Sequence, residues 1–202
     1  MISIAIDRSG FNAQMNAAVS QARNPRAVLM AAGRELANQL RTHFRKKERT
    51  DVNKLSPRRS HFWLAIAQSV HNPVQAGAMK VQVTVSDPRI AQKVFGGTIR
   101  AKKAGALTIP VAEKAYGRTA ATFEQETGLK LFLIKKKDNP GGRGGELAAM
   151  VGGQVEVEYI LTPSVEQAPD PTALPEMSEL EKAVVSRAQK VAERQGSEER
   201  GA

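Results

Sequence analysis

The chain has 202 residues, of which 41% are hydrophobic and 25% are charged, as in ordinary globular proteins. It contains no cysteine, which excludes disulfides, thiolate catalysis and cysteine-ligated zinc. The first residues show no basic segment followed by an apolar one, and no apolar run approaches the roughly 18 residues that span a bilayer. We therefore expect a soluble protein that folds in the cytoplasm and has no membrane partner.

The charge is strongly positive and unevenly distributed. The net charge is +10 with a pI near 10.1. Residues 164–202 hold eight acidic and five basic residues, so this part carries −3 and the first 163 residues carry +13. A field of this sign favours polyanions: nucleic acid, anionic lipid or an acidic protein surface.

The first seventy residues are predicted to be mainly helical. Alternating isoleucines predict a short strand over 3–7, and a helix follows from Ser9 or Gly10. Pro25 interrupts that helix and opens a second one over 25–46, since proline is favoured at a first helical position. Its predicted buried stripe consists of Leu29, Ala32, Leu36, Leu40 and Phe44. A loop is expected over 47–59, and Ser60 is expected to cap a third helix.

The central part of the chain has strand patterns. Strict alternation predicts a strand over 79–85. A short helix is expected over 88–94, a second strand or a bulge over 95–99, and a third strand over 106–111. Residues 112–127 are compatible with a partly helical excursion. Leu129–Ile134 is apolar on both faces, which is typical of a central strand, and residues 154–161 alternate again. Four glycines and a proline between these strands predict a flexible hairpin over 135–146.

The C-terminal part is predicted to be a separate arm. Four prolines over 163–177 favour an extended segment that does not join the sheet. Ser178 and Glu181 have the spacing of a capping box for a helix over 178–195. Its apolar stripe consists of Leu180, Val184, Ala188 and Val191. A helix of this length is not stable alone, so the stripe packs either on its own body or on a neighbouring subunit. We expect the neighbouring subunit, and hence a body over 1–162 and an arm with a helix over 163–202.

No pattern in the sequence indicates catalysis, a cofactor or a metal. The histidines His43, His61 and His71 have no metal-ligand spacing. The glycine loop at 140–145 lacks the lysine and hydroxyl residue that end a phosphate-binding loop. No serine nucleophile motif and no paired carboxylates in an apolar setting are present. We therefore expect a protein that is not an enzyme, and a small hydrolase with an unrecognised site stays as a minor alternative.

The basic residues fall in three separated segments, 34–59, 100–103 and 135–143. They form either solvated faces or surfaces that lie near a polyanion, and the sequence leaves both interpretations open. The candidate residues for such surfaces are Arg34, Arg41, Arg45, Lys135, Lys136, Lys137 and Arg143. Sequence-specific DNA recognition is not expected, because no helix-turn-helix or zinc-finger pattern is present.

Two stretches resemble a known protein family. The run KVFGGTIRAKKAGALTIPVAEKAYGRTAATF over 93–123 is similar to a segment of phage virion-morphogenesis proteins, in which a Gly-Gly pair and a later Ile-Pro pair precede a polar excursion and a strand. RRSHFWLAIAQSV over 58–70 looks like the helix that these proteins place before their first long strand. The family includes minor tail components and tail-completion proteins of long-tailed bacteriophages.

The resemblance implies an α+β fold in which long N-terminal helices pack on a small, mostly antiparallel sheet. It also implies a homo-oligomeric ring, often a hexamer, at the neck of the virion. Its partners would be the connector or stopper and the tail terminator or tail tube, assembled in the host cytoplasm. A ring around DNA needs a basic inner wall, which fits the charge of this chain. The alternative is a non-specific nucleic-acid-binding protein without a role in a virion.

Overall fold

The computed structural model describes residues 2–4, 9–20, 22, 24–51, 61–102, 104–135 and 144–197. These ranges form an α+β fold whose strand pairs are all antiparallel, as predicted. The helices are α1 (Ser9–Ser20), α2 (Pro25–Thr50), α3 (Phe62–Gln68), α4 (Arg89–Phe95), α5 (Ala120–Thr127) and α6 (Met177–Ser197). The strands are β1 (Ile2–Ile4), β2 (Val74–Gly77), β3 (Lys80–Val85), β4 (Gly97–Arg100), β5 (Leu107–Pro110), β6 (Leu131–Lys135), β7 (Gly145–Val151), β8 (Gln154–Thr162) and β9 (Ser164–Gln167).

The chain forms two compact units. The first, called here the helical unit, comprises Met1–Asp51, His61–Phe95 and Pro169–Ala202. The second, called the sheet unit, contains Gly96–Ala168. The expected boundary between residues 162 and 163 does not coincide with these units, because the chain returns to the helical unit at Pro169.

Helix α2 is the central element of the helical unit. Asn24 caps its start by accepting a hydrogen bond of 3.1 Å from the Ala27 N–H, and Pro25 occupies the first position. The helix continues to Thr50, one turn beyond the predicted end at Lys46. The predicted apolar stripe is confirmed as buried: Leu29, Ala32, Leu36, Leu40 and Phe44.

Elements of the same unit pack around α2. Helices α1 and α6 contact it, as do α3 and strand β3 of the β1-β3-β2 sheet. The ring of Phe44 stacks on Trp63 of α3 with 5.9 Å between ring centroids. Gly33 allows the sheet to approach, since a Cβ there would lie 2.5 Å from Val81 Cγ1 and 2.7 Å from Pro73 Cβ. Any larger residue at Gly33 would force β2 and β3 away from the helix.

The start of α3 differs from the prediction. His61, in the left-handed region at φ 51°, occupies the N-cap position and makes no side-chain cap. The predicted cap, Ser60, lies outside the described residues. Glu48 of α2 accepts a 3.1 Å hydrogen bond from the Leu64 N–H instead, so a side chain from another helix satisfies this turn.

The predicted role of the C-terminal helix is wrong. Leu180, Val184 and Ala188 are buried in the core of their own chain, and Val191 is packed against that core. Helix α6 makes extensive contact with α2 and α1. The apolar surface of α2 is wide enough to cover the stripe of α6, so docking on a neighbouring subunit is not needed to bury it.

The proline-rich segment also differs from the extended arm that was expected. Ser164–Gln167 forms β9 and pairs with β4, since the prolines at 163 and 169 flank this strand instead of interrupting it. Ala173 is buried in the helical unit. Ser178 lies within α6, and its hydroxyl donates a hydrogen bond of 2.6 Å to Glu176, so it does not form the predicted capping box.

The sheet unit is built on four antiparallel strands in the order β5-β8-β7-β6. Its small core consists of Ala115, Phe123 and Tyr159, with Leu129, Leu131 and Leu147 packed against them. Strand β6 lies at an edge of this sheet, although its apolar pattern predicted a central strand. Strand β7, which lies between β6 and β8, was not predicted because glycines flank it at both ends.

Candidate polyanion-binding face on helix α2

The solvent-exposed side of α2 is basic along most of its length. Six of its exposed residues beyond the first turn, called here the α2 stripe, lie on one side: Arg34, Asn38, Thr42, Arg45, Lys46 and Arg49. At 100° per residue they fall within an arc of about 120°, and Arg34 and Arg49 are about 22 Å apart along the axis. The α2 stripe therefore presents four cations on one face, and Glu35, which falls within the same arc, is only partly exposed.

The two carboxylates of α2 are turned to other partners. Glu35 accepts a hydrogen bond of 2.7 Å from the Gln39 side chain. Glu48 accepts hydrogen bonds from the Leu64 N–H and lies 3.1 Å from the His61 ring nitrogen. The side chains of Arg34, Arg45, Lys46 and Arg49 make no hydrogen bond or ion pair with any residue in the described ranges. Among the described residues, none therefore neutralises their charge.

Arg41 belongs only partly to this face. Its Nη2 donates to the Val70 carbonyl at 2.8 Å and to the Asn72 side chain at 3.1 Å. Val70 is buried at the junction that follows α3. Arg41, a candidate for a surface near a polyanion or an acidic neighbour, thus also satisfies a main-chain carbonyl of its own chain.

Lys47 is the one basic residue of α2 that is buried. Its Nζ lies 2.7 Å from the Thr172 hydroxyl, 3.3 Å from Asp170 and 3.1 Å from Asp51, and 4.8 Å from the centroid of the Trp63 ring. Burial alone would raise the pKa of Asp170, but the Thr172 hydrogen bonds and the Lys47 ammonium outweigh it and lower that pKa. This network fixes residues 170–172 to α2, which is a structural role.

The other predicted basic residues are not part of helix α2. Lys135 is exposed at the end of β6 and belongs to the sheet unit. Lys136, Lys137 and Arg143 lie outside the described residues, as does most of the predicted loop at 135–146. Lys46 and Arg49, in contrast, were not among the candidates. The helix was expected to end at Lys46, so the predicted basic face did not extend to Arg49.

Among its described residues the sheet unit contains one buried carboxylate, Glu158. Its side chain is 0% exposed, and Oε1 lies 2.8 Å from Lys114 Nζ, which also lies 2.7 Å from Glu156. The β7–β8 register shifts between Leu147 and Ala148, and this bulge leaves Glu158 without an opposite residue on β7. The hydrogen bonds to Glu156 and then Glu158 raise the pKa of Lys114, so this lysine stays charged. A carboxylate neutralised in this way forms a structural ion pair.

Neighbouring Tyr159 completes this arrangement. Its hydroxyl lies 3.3 to 3.4 Å from the carbonyls of Ala115, Arg118 and Thr119, and its ring contacts Phe123 edge to face. Burial, together with the nearby charge of Glu158, raises the pKa of Tyr159. The hydroxyl is thus held neutral and donates to the 3₁₀ turn at Glu113–Ala115 and the segment after it.

The histidines occupy three different settings. His43 Nε2 lies 3.0 Å from the Thr172 carbonyl, and burial lowers the pKa of this imidazole. His61 contacts Glu48, and His71 is exposed. Within the described ranges no three histidine, aspartate or glutamate side chains converge as metal ligands.

Comparison of the chain with protein-family models, curated proteins and solved structures finds no match. Among the described helices, none is long and apolar enough to cross a membrane. The resemblance to phage virion-morphogenesis proteins consequently rests on the two sequence stretches given above.

Proposed function

We propose that this protein is a structural component of the head–tail interface of a long-tailed bacteriophage, where it forms a ring around the DNA channel and joins the connector to the tail. The observation that carries the proposal is the α2 stripe. It offers several cations in a line, none of them paired with a described residue, and it carries no base-reading motif. A channel that DNA passes through needs this combination of attraction without sequence recognition.

The fold gives further support. The α+β architecture with long helices and small antiparallel sheets is the one that the family resemblance implies. The described part of the chain offers no metal cluster, and its buried carboxylate is neutralised by a lysine. These features favour a structural function over catalysis.

The α2 stripe is equally suited to the second candidate, a non-specific nucleic-acid-binding protein without a role in a virion. The two candidates differ in assembly. A neck protein forms closed rings with a central channel, alone or on a connector, and holds DNA weakly enough to let it pass. A nucleic-acid-binding protein binds duplex tightly as a monomer, with a strong dependence on salt.

The test combines light scattering, electron microscopy and DNA binding on the full chain. We expect closed rings, and weak duplex binding whose dependence on salt falls in the R34E/R45E variant. Removing two phosphate contacts lowers the slope of log K against log salt by about 2. The Arg41 position is kept unchanged in this variant, since its hydrogen bond to Val70 would confuse binding with stability.

The matched control is E35K, which adds a cation beside the α2 stripe and is expected to increase the slope. Tight binding by a monomer, with no ring at any concentration, would support the second candidate. Equal DNA binding by the native chain and R34E/R45E would show that the α2 stripe does not bind DNA, and neither candidate function could then rest on it.

A further inference from the structure

Strand β6 combines an edge position with the side chains of an interior strand. Phe132 and Leu133 point to opposite faces of the sheet and are 39% and 46% exposed. A long apolar edge is normally blunted by charges, bulges or proline, because its free main-chain groups pair with other strands. The only charges at β6 are on Lys130, which precedes the strand, and on Lys135, its last residue. The strand thus has the properties of one that is covered by a further strand.

The main-chain groups of β6 that face outward can be assigned. The Leu131 N–H donates to Glu124 Oε1 at 2.8 Å instead of to β7. Because successive residues of a strand point their main-chain groups to alternate sides, those of Leu133 and Lys135 also point away from β7. No described strand pairs with them.

The opposite edge of the same sheet is β5, and its outward groups are also known. The Val111 N–H donates to the Glu158 carbonyl at 2.9 Å, so Ile109 and Leu107 face β8. Thr108, which is exposed, points its main-chain groups to the open side. Pro110 follows at the end of the edge, where it has no N–H to donate.

We propose that β6 of one copy pairs with β5 of a second copy, with Leu133 opposite Thr108 of that second copy. In the order β5-β8-β7-β6 all neighbours are antiparallel, so β5 and β6 run in opposite directions. A second sheet placed in the same orientation therefore continues the first as an antiparallel ladder. The sheet is extended from subunit to subunit by ordinary strand pairing.

The side chains agree with this register. The cross-strand series Ile134, Glu146, Ile160 and Ile109 places Ile134 and Ile109 on one face of the sheet. Phe132 and Ile134 of one copy would then lie beside Ile109 and Leu107 of the next, on the same face. The pairing stops at Leu131 and Pro110, where one N–H is already used by Glu124 and the other is missing. This end of the ladder is thus defined by local chemistry.

Hydrogen bonding disfavours the alternative in which two β6 strands pair with each other. In a symmetric β6–β6 ladder centred on Leu133, Lys135 of each copy would lie opposite Leu131 of the other, whose N–H is already used by Glu124, so a donor would be missing at both ends. In the β6–β5 ladder the two missing donors, Leu131 and Pro110, lie opposite each other at one end. The contact is therefore head to tail, and head-to-tail contacts generate rings when the rotation closes.

This inference rests on the proposed function and names the contact between subunits of the proposed ring. It is tested by disulfide trapping in the full chain, which has no cysteine of its own. Thr108→Cys and Leu133→Cys are prepared as separate variants. Hydrogen-bonded antiparallel partners have Cα atoms about 5.5 Å apart, within the range that a disulfide spans. We expect a covalent dimer only when the two variants are mixed and oxidised, and a ladder of multimers from the T108C/L133C double variant.

The control is Val74→Cys mixed with Leu133→Cys, because Val74 is similarly exposed at 58% but lies in the helical unit. Dimers of L133C alone, or no more cross-linking in the T108C and L133C mixture than in the control, would overturn the β6–β5 contact. Rings without this cross-link would leave the neck proposal intact and remove only the contact. Specific cross-linking into open chains without rings would support the β6–β5 contact and contradict the ring of the neck proposal.

Discussion

The two units of this protein differ in how they complete their apolar surfaces. In the helical unit α6 returns to cover α2, so that side chains as distant in sequence as Leu40 and Ala188 share one core. In the sheet unit the core reduces to Ala115, Phe123 and Tyr159. Most of the large apolar side chains that stay exposed belong to the sheet unit: Ile99, Val111, Phe132, Leu133, Met150 and Val155.

The two units therefore contribute differently: the helical unit buries its apolar surface within one chain, and the sheet unit offers apolar surface for assembly. The helical unit is closed within a single chain, so its exposed face on α2 is free to be polar and basic. The sheet unit leaves apolar side chains at an edge strand, and exposed apolar surface of this kind marks interaction sites. Two spectroscopic probes allow the comparison to be tested, since the single tryptophan, Trp63, lies in the helical unit and both tyrosines lie in the sheet unit.

The largest effect is expected from removing α6. Truncation after Glu176 deletes the buried side chains of Leu180, Val184, Val185, Ala188 and Ala192 and exposes the face of α2 that they cover. Each buried aliphatic side chain of Val or Leu size contributes about 1.5–3 kcal/mol, and the whole domain is stable by only about 5–15 kcal/mol. We expect the cooperative unfolding transition of Trp63 fluorescence to disappear.

The matched control is truncation after Ser197, which leaves α6 complete and should leave the transition unchanged. A chain lacking α6 that still unfolds cooperatively near the native temperature would show that the helix is dispensable for folding.

A smaller effect, confined to the sheet unit, is expected at the Lys114–Glu158 pair. Lys114→Met leaves a fully buried carboxylate without its cation, which costs about 3 kcal/mol. Glu158→Gln removes the charge itself and is expected to cost less. Glu156→Gln, which changes the half-exposed partner, is expected to cost under about 1 kcal/mol.

These variants are compared by urea unfolding followed through tyrosine absorbance. Trp63 fluorescence should keep its native midpoint if the two units unfold independently. Equal losses for K114M and E156Q would show that Glu158 is not held by Lys114.

The sequence predicted the parts of the fold that depend on local periodicity. The buried stripe of α2 follows a 3.6-residue period over four turns, and the sequence of β3 alternates strictly, whereas β8 alternates only up to the bulge at Glu158. Both patterns report on one element at a time. Strand β7 gives no such signal, since its Ala148 and Ala149 are small and glycines lie at its ends.

The partners of each face could not be predicted in the same way. The apolar stripe on α6 predicts that another surface covers it but does not identify that surface. The sequence therefore did not predict that α6 docks on α2. The basic pattern of α2 likewise could not distinguish Arg41 from Arg45. The carbonyl that Arg41 binds belongs to Val70, on a segment that only the tertiary fold brings near. For the candidate site, the sequence therefore predicted which residue types are present but not which side chains are already bonded within the chain.

The smallest effect concerns His43 and the dependence of the helical unit on pH. Burial is the main cause that lowers the pKa of His43 below the ordinary 6.5, and the ammonium groups of Lys47 and Lys46 act in the same direction. The hydrogen bond to the Thr172 carbonyl opposes this and does not prevail. The unfolded chain therefore takes up a proton at a higher pH than the folded chain does. Stability is complete above about pH 6.5 and is lost as the pH falls through the pKa of the folded state.

The measurement is the urea midpoint of Trp63 fluorescence at pH 7.5 and at pH 5.5, in the native chain and in His43→Gln. Glutamine can still donate to the Thr172 carbonyl but does not titrate, so we expect the variant to lose the pH-dependent part of the difference. Asp170, the other residue of this region whose pKa is lowered, titrates below its ordinary 3.8 and lies outside this window. An identical fall in midpoint for both proteins would mean that His43 is not the group that couples the packing of residues 170–172 on α2 to pH.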